Sequence, residues 1–315
     1  MAVHLGDLVA TTLALRATSI ADTITNEHPL LNRLASKGNV KSTPSGRSIY
    51  QPIIYGTNTS VKWFAGYEAF TPPTDQQIID VAEYQWKQQG AFISISGLEQ
   101  IQNSGESQAI PFVSARIDQC MAEMKNTAGA SCFSDGTGSG GKELGGLASL
   151  VSTTPSAAGV VGGIDQVANT FWRNNAVTGV TATGAGLVLA MNKQWRVVSV
   201  GTETPDLLIS DEINFAFYES TLQNLVRFTE TKKADAGFQA LKYKNADFVY
   251  DAYCPTKTTY QLNTDTIFLR AHPDRMWTKG KTRDVTNADY NVTPIWFMGN
   301  LCTNNRRRNG VLVTA

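Results

Sequence analysis

The apolar positions between residues 104 and 136 recur at alternating spacings of three and four residues: Ile110, Val113, Ile117, Cys120 or Met121, Met124 and Ala128. This period places them on one face of a helix. The opposite face carries charged and amide side chains: Arg116, Asp118, Gln119, Glu123 and Lys125. A long helix with one narrow apolar stripe is typical of a helix that lies across a sheet. The same pattern also fits a long amphipathic helix of an ordinary α/β enzyme.

An N-terminal arm, residues 1–46, precedes this helix in the sequence. Its apolar residues from Leu5 to Ile24 form a loose helical stripe. A second short helix is predicted between Pro29 and Gly38, because proline is favoured in a first turn and glycine at a helix end. Two small helices on a tether do not fold alone. We therefore expect them to dock on the rest of this chain or on a neighbouring chain.

Residues 47–92 form β-prone segments separated by glycine and proline, which predicts an extended ribbon. Four aromatic side chains lie near one end of it: Trp63, Phe64, Tyr67 and Phe70. A ribbon has little core of its own in which to bury them, and large exposed apolar groups mark a contact surface for another chain. The alternative is that these side chains fold back onto the core of their own chain, and the pattern favours neither.

The region 161–285 alternates helical and extended patterns, which predicts an α+β fold with a mixed sheet. Asp247 and Asp251 are four residues apart on extended segments, and we expect their shared face to be solvated. Asp206, Asp211 and Glu212 surround a loop before a helical pattern. Carboxylates at such a position are typical of helix caps rather than of an acid–base pair.

The tail from Asn291 to Ala315 contains two apolar strands separated by a run of three arginines, residues 306–308. Asn309 and Gly310 are a strong turn signal. The sequence therefore predicts a charged hairpin turn, with contact to nucleic acid as the alternative role of the arginine run.

Composition argues for a surface that meets protein neighbours. The chain has 27 basic and 27 acidic residues, a net charge of zero, and only 17% charged residues. It has no global basic excess, no apolar run long enough for a membrane span and no signal-peptide pattern. The four cysteines form no CxxC pair, so we expect buried, reduced thiols in a cytosolic protein.

The glycine-rich segment from Gly136 to Lys142 resembles two nucleotide-binding motifs in spacing alone. A phosphate-binding loop follows a buried strand and opens a helix, whereas this loop follows a helix. Glu143 stands where a serine or threonine would bind magnesium. The three histidines lack metal-ligand spacing, and there is no GxSxG elbow. The sequence therefore predicts no catalytic, cofactor-binding or metal-binding residue.

The succession of segments resembles the major capsid proteins of tailed bacteriophages, which have the Hong Kong 97-type capsid fold. The segments that carry the resemblance keep the family order along almost the whole chain: HPLLNRLASKGNV, GRSIYQPIIYGTN, WFAGYEAF, YQWKQQGAFISISGLEQIQNSGE, the helix that ends in CFSDGTG, KELGGLASLV, IDQVANTFWRNN, TPDLLIS, HPDRMW and PIWFMGNLCTNNR. The resemblance implies an arm at 1–46, an extended loop at 47–92, a peripheral domain at 93–160 and 286–315 with a spine helix at about 104–133, and an axial domain at 161–285.

The resemblance also implies a structural function without catalysis. Copies of the chain would assemble as hexamers and pentamers into an icosahedral virion capsid that encloses double-stranded DNA. This assembly would take place in the host cytoplasm. Portal, scaffolding or decoration proteins are the further partners implied, and no membrane is. The tip aromatics would contact a neighbouring subunit, and four cations would face the DNA weakly: Arg33, Lys37, Arg116 and Lys125. The alternatives are the shell of a cellular nanocompartment with the same fold and, from another class, a nucleotide-binding enzyme that uses the Gly136–Lys142 loop.

Overall fold

The computed structural model describes residues 28–44, 46–56, 58, 60–68, 78–102, 106–222 and 240–315, with no side-chain description for 100–115, 117, 121, 125 and 240. Its α-helices are Pro29–Ser36, Gly97–Gln102, Glu106–Cys132, Gly138–Gly141, Leu147–Leu150, Gly184–Val198 and Glu212–Leu222. We call the first of these the arm helix and Glu106–Cys132 the spine helix.

The first sheet is organised around one long strand. Its strands are β1 (Val40–Ser42), β4 (Lys87–Ser96), β12 (Ile267–Ala271), β13 (Thr278–Lys279), β14 (Arg283–Asp284) and β15 (Tyr290–Thr303). β15 pairs antiparallel with β4 along one edge and with β12, β13 and β14 along the other. Ile93 and Ile95 of β4 are buried in a core that includes Met124 of the spine helix. The described positions of the predicted apolar stripe, Cys120, Met124 and Ala128, thus belong to the core that the sheet shares.

The second sheet is mixed, as the alternating pattern predicts. Its order is β7 (Asn175–Val180), β16 (Gly310–Thr314), β11 (Thr258–Leu262), β8 (Leu207–Ser210), β10 (Ala246–Tyr250) and β9 (Ala240–Tyr243). β8 is parallel to β10 and antiparallel to β11. The helices Gly184–Val198 and Glu212–Leu222 cover this sheet through a core that contains Met191, Tyr218 and Phe248. The α+β class predicted from the sequence is confirmed.

Two short ribbons complete the described β-structure. β2 (Ile49–Ile54) pairs antiparallel with β3 (Ile79–Tyr84), in a two-stranded ribbon separate from both large sheets. β5 (Val160–Val161) pairs with β6 (Ile164–Asp165). The β2–β3 ribbon lies within the predicted extended loop, whose end at 92 falls inside β4 of the first sheet.

The chain crosses between the sheets at positions that the predicted division does not mark. β12 lies within 161–285 but pairs with β15 of the first sheet. β16 lies within 286–315 but belongs to the second sheet, between β11 and β7. The hairpin predicted at Asn309 and Gly310 is therefore wrong, because β15 and β16 lie in different sheets. A 3₁₀ turn, Arg306–Arg308, carries the chain across.

Candidate subunit interface

The aromatic residues at the end of the ribbon are exposed. Trp63 is 100% and Phe64 60% exposed, and Tyr67 is fully exposed. Glu68 organises this segment, since its carboxylate accepts a hydrogen bond from the Ala65 amide at 3.3 Å and lies 3.4 Å from the Lys62 ammonium. We call residues 60–68 the tip. The fourth predicted contact residue, Phe70, lies outside the described residues. Trp63 and Tyr67 do not fold back onto the core of their own chain.

The base of the ribbon is anchored in that core. Ile49, Ile53 and Ala82 are buried and face inward, as alternation along a strand requires. The hydroxyl of buried Tyr84 donates a hydrogen bond to the Thr303 carbonyl at 3.0 Å. Burial raises the pKa of this phenol.

The arm helix is held by ion pairs to loops and strands of the second sheet. The Arg33 guanidinium lies 2.8 Å from the Asp206 carboxylate and 3.6 Å from that of Asp247. The Lys37 ammonium lies 3.2 Å from Asp206 and 2.8 Å from Asp265. Two predicted DNA-facing cations, Arg33 and Lys37, therefore lie together in a cluster with carboxylates of their own chain.

Asp206 is the centre of this cluster. Burial raises its pKa, but hydrogen bonds from the hydroxyl and amide of Thr264 and from Arg33, together with the charge of Lys37, outweigh burial and lower it overall. Both Thr264 hydrogen bonds are short, at 2.6 and 2.7 Å. Asp206 thus serves as an anchor between the arm and the second sheet, and the expectation that it caps a helix is wrong.

Two further carboxylate expectations have opposite outcomes. The Asp211 carboxylate accepts a hydrogen bond from the backbone N–H of Asn214 at 3.2 Å, which confirms the role of Asp211 as a helix cap. Asp247 and Asp251, in contrast, are both buried, so the predicted solvated face is wrong. Arg33 of the arm helix and Lys242 of β9 lie 3.6 and 3.5 Å from the Asp247 carboxylate and help to cover this face. Burial raises the pKa of Asp251.

The polar face of the spine helix is described at only some positions. The Arg116 guanidinium forms an ion pair with Glu99 at 2.7 Å and also donates to the Ser94 carbonyl. Arg116 thereby ties the spine helix to the end of β4. The side chain of Lys125, the fourth predicted DNA-facing cation, lies outside the described side chains.

The glycine loop packs beside the end of the spine helix, as its position in the sequence predicts. The Gly145 amide donates to Asn300 of β15 at 3.0 Å, and Glu143 accepts a hydrogen bond from the Ser131 hydroxyl at 3.3 Å. No strand of the described chain leads into this loop. The strand–loop–helix geometry of a phosphate site is therefore missing here.

Sequence reasoning missed the buried guanidinium of Arg306. This side chain is 0% exposed. It donates to the carbonyls of Leu150 at 2.7 Å and Trp172 at 3.2 Å and to the amide oxygens of two further residues, Gln166 and Asn174. Burial lowers its pKa to about 10. The run of three arginines, residues 306–308, predicts an exposed turn and does not indicate which arginine points inward.

The predicted burial of the cysteines is confirmed for three of the four thiols. All four are unpaired, and Cys132, Cys254 and Cys302 are buried while Cys120 is half-buried.

Across the described part of the chain, no group of three or more histidine, cysteine, aspartate or glutamate residues is placed to hold a metal ion. None of the described helices is both long and apolar enough to cross a membrane.

A spine helix on one sheet, a second mixed sheet, a projecting ribbon and a docked arm define the Hong Kong 97-type capsid architecture, and solved structures confirm this fold. A chain in the capsid asymmetric unit of cyanophage A-1(L) superposes with a TM-score of 0.67 over 92% of this chain and 93% of that chain, at 15% identity. A chain of the capsid of Myoviridae phage XM1 gives a TM-score of 0.54 over 90% and 92%, at 11% identity.

The same architecture occurs outside phage capsids. The holo-SrpI encapsulin complex from Synechococcus elongatus gives a TM-score of 0.55 over 90% of this chain and 87% of that chain, at 9% identity. No family model matches the sequence, and a search of curated proteins gives no significant match. At these identities the similarity establishes the fold.

Proposed function

We propose that this chain is the structural subunit of a closed protein shell, the major capsid protein of a tailed bacteriophage. Fold similarity over about nine-tenths of the chain to two phage capsid chains is the observation that carries the proposal. Hexamers and pentamers of the chain would form an icosahedral head in the host cytoplasm, and the protein would catalyse no reaction. Portal, scaffolding and decoration proteins are its proposed partners.

The tip supplies the proposed contact between subunits. Trp63, Phe64 and Tyr67, with Phe70 beyond the described residues, would pack on a neighbouring copy. Aromatic anchors of this kind carry a large share of the binding energy of protein interfaces. The anchored ribbon base supports this role, because a fixed base limits the conformational freedom that association must remove.

Packaged DNA would be held weakly and without sequence preference. Equal numbers of basic and acidic residues support this. The ion pairs of Arg33, Lys37 and Arg116 support it further, since a cation that already has a carboxylate neighbour contributes little net potential. Lys125 remains the fourth proposed interior cation.

The similarity to the encapsulin shell favours a second candidate, a cellular nanocompartment that encloses protein instead of DNA. Electron microscopy of the purified protein tests both functions. We expect closed shells built from hexameric and pentameric units, and a protein that stays monomeric at micromolar concentration under all assembly conditions would contradict both. Particles isolated from the native source separate the two functions, because double-stranded DNA inside supports the phage head and enzyme cargo supports the nanocompartment.

A further inference from the structure

A cavity lies where the arm helix, the C-terminal end of the spine helix, the glycine loop and the first sheet meet. Its volume is about 310 Å³, at the lower end of the range for pockets that hold small organic molecules. Much of its lining is apolar and comes from several of these elements: Leu31, Ala128, Leu144, Leu269, Trp277 and Phe297. The cavity is therefore suited to the apolar body of a small molecule.

Trp277 brings a polar group without a partner into this apolar lining. Its indole N–H is buried and makes no hydrogen bond with any residue that the structure describes. The ring is held by stacking on Phe297, with the ring centroids 4.5 Å apart and the planes 23° from parallel. The backbone φ of Trp277 is 50°, which is uncommon for a bulky residue and is found most often at functional sites. A buried donor without an acceptor is unfavourable, so an oxygen atom of a ligand would gain by accepting this N–H.

The charged part of the lining consists of two ammonium groups and one carboxylate: Lys87, Lys142 and Glu143. Lys87 donates a hydrogen bond to the Gly141 carbonyl, so its ammonium lies against the glycine loop. The Glu143 carboxylate accepts a hydrogen bond from the Ser131 hydroxyl at 3.3 Å. Because positive charge exceeds negative charge in this lining, the potential of the cavity favours an anion over a cation.

We propose that the cavity is a binding site for a small amphipathic carboxylate of the medium-chain fatty acid class. The alkyl chain would pack among Leu31, Trp277 and Phe297. The carboxylate oxygens are acceptors suited to the indole N–H and to the ammonium groups of Lys87 and Lys142. Such a ligand would contact the arm helix, the spine helix and the first sheet together. Its binding would therefore stabilise the docked arm by mass action, a role beyond the proposed shell function.

Isothermal titration calorimetry of the purified chain with sodium octanoate tests the site. Octanol and octyltrimethylammonium carry the same alkyl chain with no charge and with a positive charge, and they are the comparison ligands. We expect one octanoate to bind per chain, on the order of tenfold more tightly than octanol, because hydrogen bonds to charged groups are the stronger ones. The cationic ligand should bind more weakly than either. Octanoate should also raise the melting temperature of the chain.

Two substitutions with matched controls locate the ligand. Ala128→Leu extends a side chain of the spine helix into the cavity and should abolish octanoate binding, whereas Ala122→Leu at an exposed position of the same helix should leave it unchanged. Trp277→Phe keeps an aromatic ring but removes the N–H, and it should weaken octanoate binding by about tenfold. Its control is Trp296→Phe, on β15 but outside the cavity lining, which should have no effect.

A third substitution tests the charge of the ligand. Lys142→Gln should weaken octanoate binding by about threefold and leave octanol binding unchanged, because only the carboxylate is attracted to the ammonium group. The control is Lys193→Gln, at an exposed position of the helix Gly184–Val198, which should affect neither ligand.

The outcomes that would overturn the proposal are distinct from those that concern the shell. Octanoate that gives neither heat nor a rise in melting temperature would overturn the site, and so would unchanged octanoate binding to an Ala128→Leu chain that is folded by circular dichroism. Should Ala128→Leu fail to fold, unchanged binding to Trp277→Phe would overturn the site. Equal affinities for octanoate and octyltrimethylammonium would overturn the assignment of an anion. Shell formation by the parent chain is measured separately, so each of these results leaves the shell function standing.

Discussion

The imidazole of His28 occupies the space that a side chain on Gly129 of the spine helix would need. A Cβ on Gly129 would overlap the ring, and both residues are buried. His28 directly precedes the arm helix, so this contact fastens the arm to the C-terminal end of the spine helix. Tyr253 adds to it, since its ring lies 5.6 Å from that of His28 and its hydroxyl donates to Asn126 at 2.9 Å.

We therefore expect Gly129→Ala to lower the free energy of unfolding, which is the opposite of its usual effect in a helix. In a helix interior, this substitution ordinarily stabilises by about 1 kcal/mol. Here the added methyl group meets a buried ring, and we expect a net loss of about 1–3 kcal/mol in the free energy of unfolding. Urea denaturation measures it.

Two controls accompany the Gly129 variant. Adding His28→Ala removes the ring, so Gly129→Ala should become stabilising in that background. Ala122→Gly, at an exposed position of the same helix, should cost about 1 kcal/mol through helix propensity alone. A Gly129→Ala chain more stable than the parent would show that the arm does not dock in this way.

The Asp206 anchor predicts a pH dependence. Its pKa is lowered in the folded state, so its contribution to stability is complete above the unfolded pKa of about 4 and is lost as pH falls through the folded value. Asp206→Asn should lower the free energy of unfolding at pH 7 by on the order of 2 kcal/mol, and this difference should shrink below pH 4. Denaturation of both chains at pH 7 and at pH 3 measures it.

Asp265→Asn is the matched control for this anchor. Asp265 shares the Lys37 ammonium with Asp206, but its side chain is 69% exposed. We expect a change within about 1 kcal/mol at either pH, because exposed ion pairs contribute little. Equal losses for the two variants at pH 7 would contradict the central role of Asp206.

The proposed interface predicts that substitutions at the tip block assembly and leave folding unchanged. Changing Trp63 and Phe64 together to Ser should block shell formation, because interface anchors of this type contribute about 2 kcal/mol or more each. The circular dichroism spectrum and melting temperature should not change, since neither residue belongs to the buried core. Sedimentation velocity measures assembly, and Leu189→Ser is the control at an exposed apolar position elsewhere. Normal shells from the double variant would exclude the tip as the contact.

The sequence predicts those parts of the fold that have a periodic pattern or a local signal. The spine helix follows from apolar spacing, whereas the aromatic side chains of the tip favour neither exposure nor packing on their own core in the sequence alone. The turn between β9 and β10 is also local, since Lys244 adopts a positive φ of 53° between the two strands. Each of these depends on residues close together in the chain.

Long-range pairing explains what could not be predicted. β16 joins the second sheet by pairing with β11, some fifty residues earlier in the sequence, and nothing in VLVTA specifies that partner. Asp247 is polar in an extended segment, which indicates a solvated face, yet its side chain is buried. The carboxylate is buried beside Arg33, a residue more than two hundred positions earlier.

The last prediction concerns Arg306 and its exposed neighbour Arg307. Arg306→Met retains an apolar stem but removes every donor, so the buried carbonyls of Leu150 and Trp172 lose a partner. Each unsatisfied buried acceptor costs about 1–3 kcal/mol, and we expect a total loss of at least about 3 kcal/mol in the free energy of unfolding.

Two further substitutions make this result specific. Arg306→Lys should recover only part of the loss, because an ammonium lacks the planar fork of donors that reaches several acceptors at once. Arg307→Met should change stability by less than about 0.5 kcal/mol, as is usual for exposed positions. If Arg307→Met proved as damaging as Arg306→Met in urea denaturation, the arginine run would be acting through its total charge, and the buried hydrogen-bond network would not be what holds the turn between the two sheets.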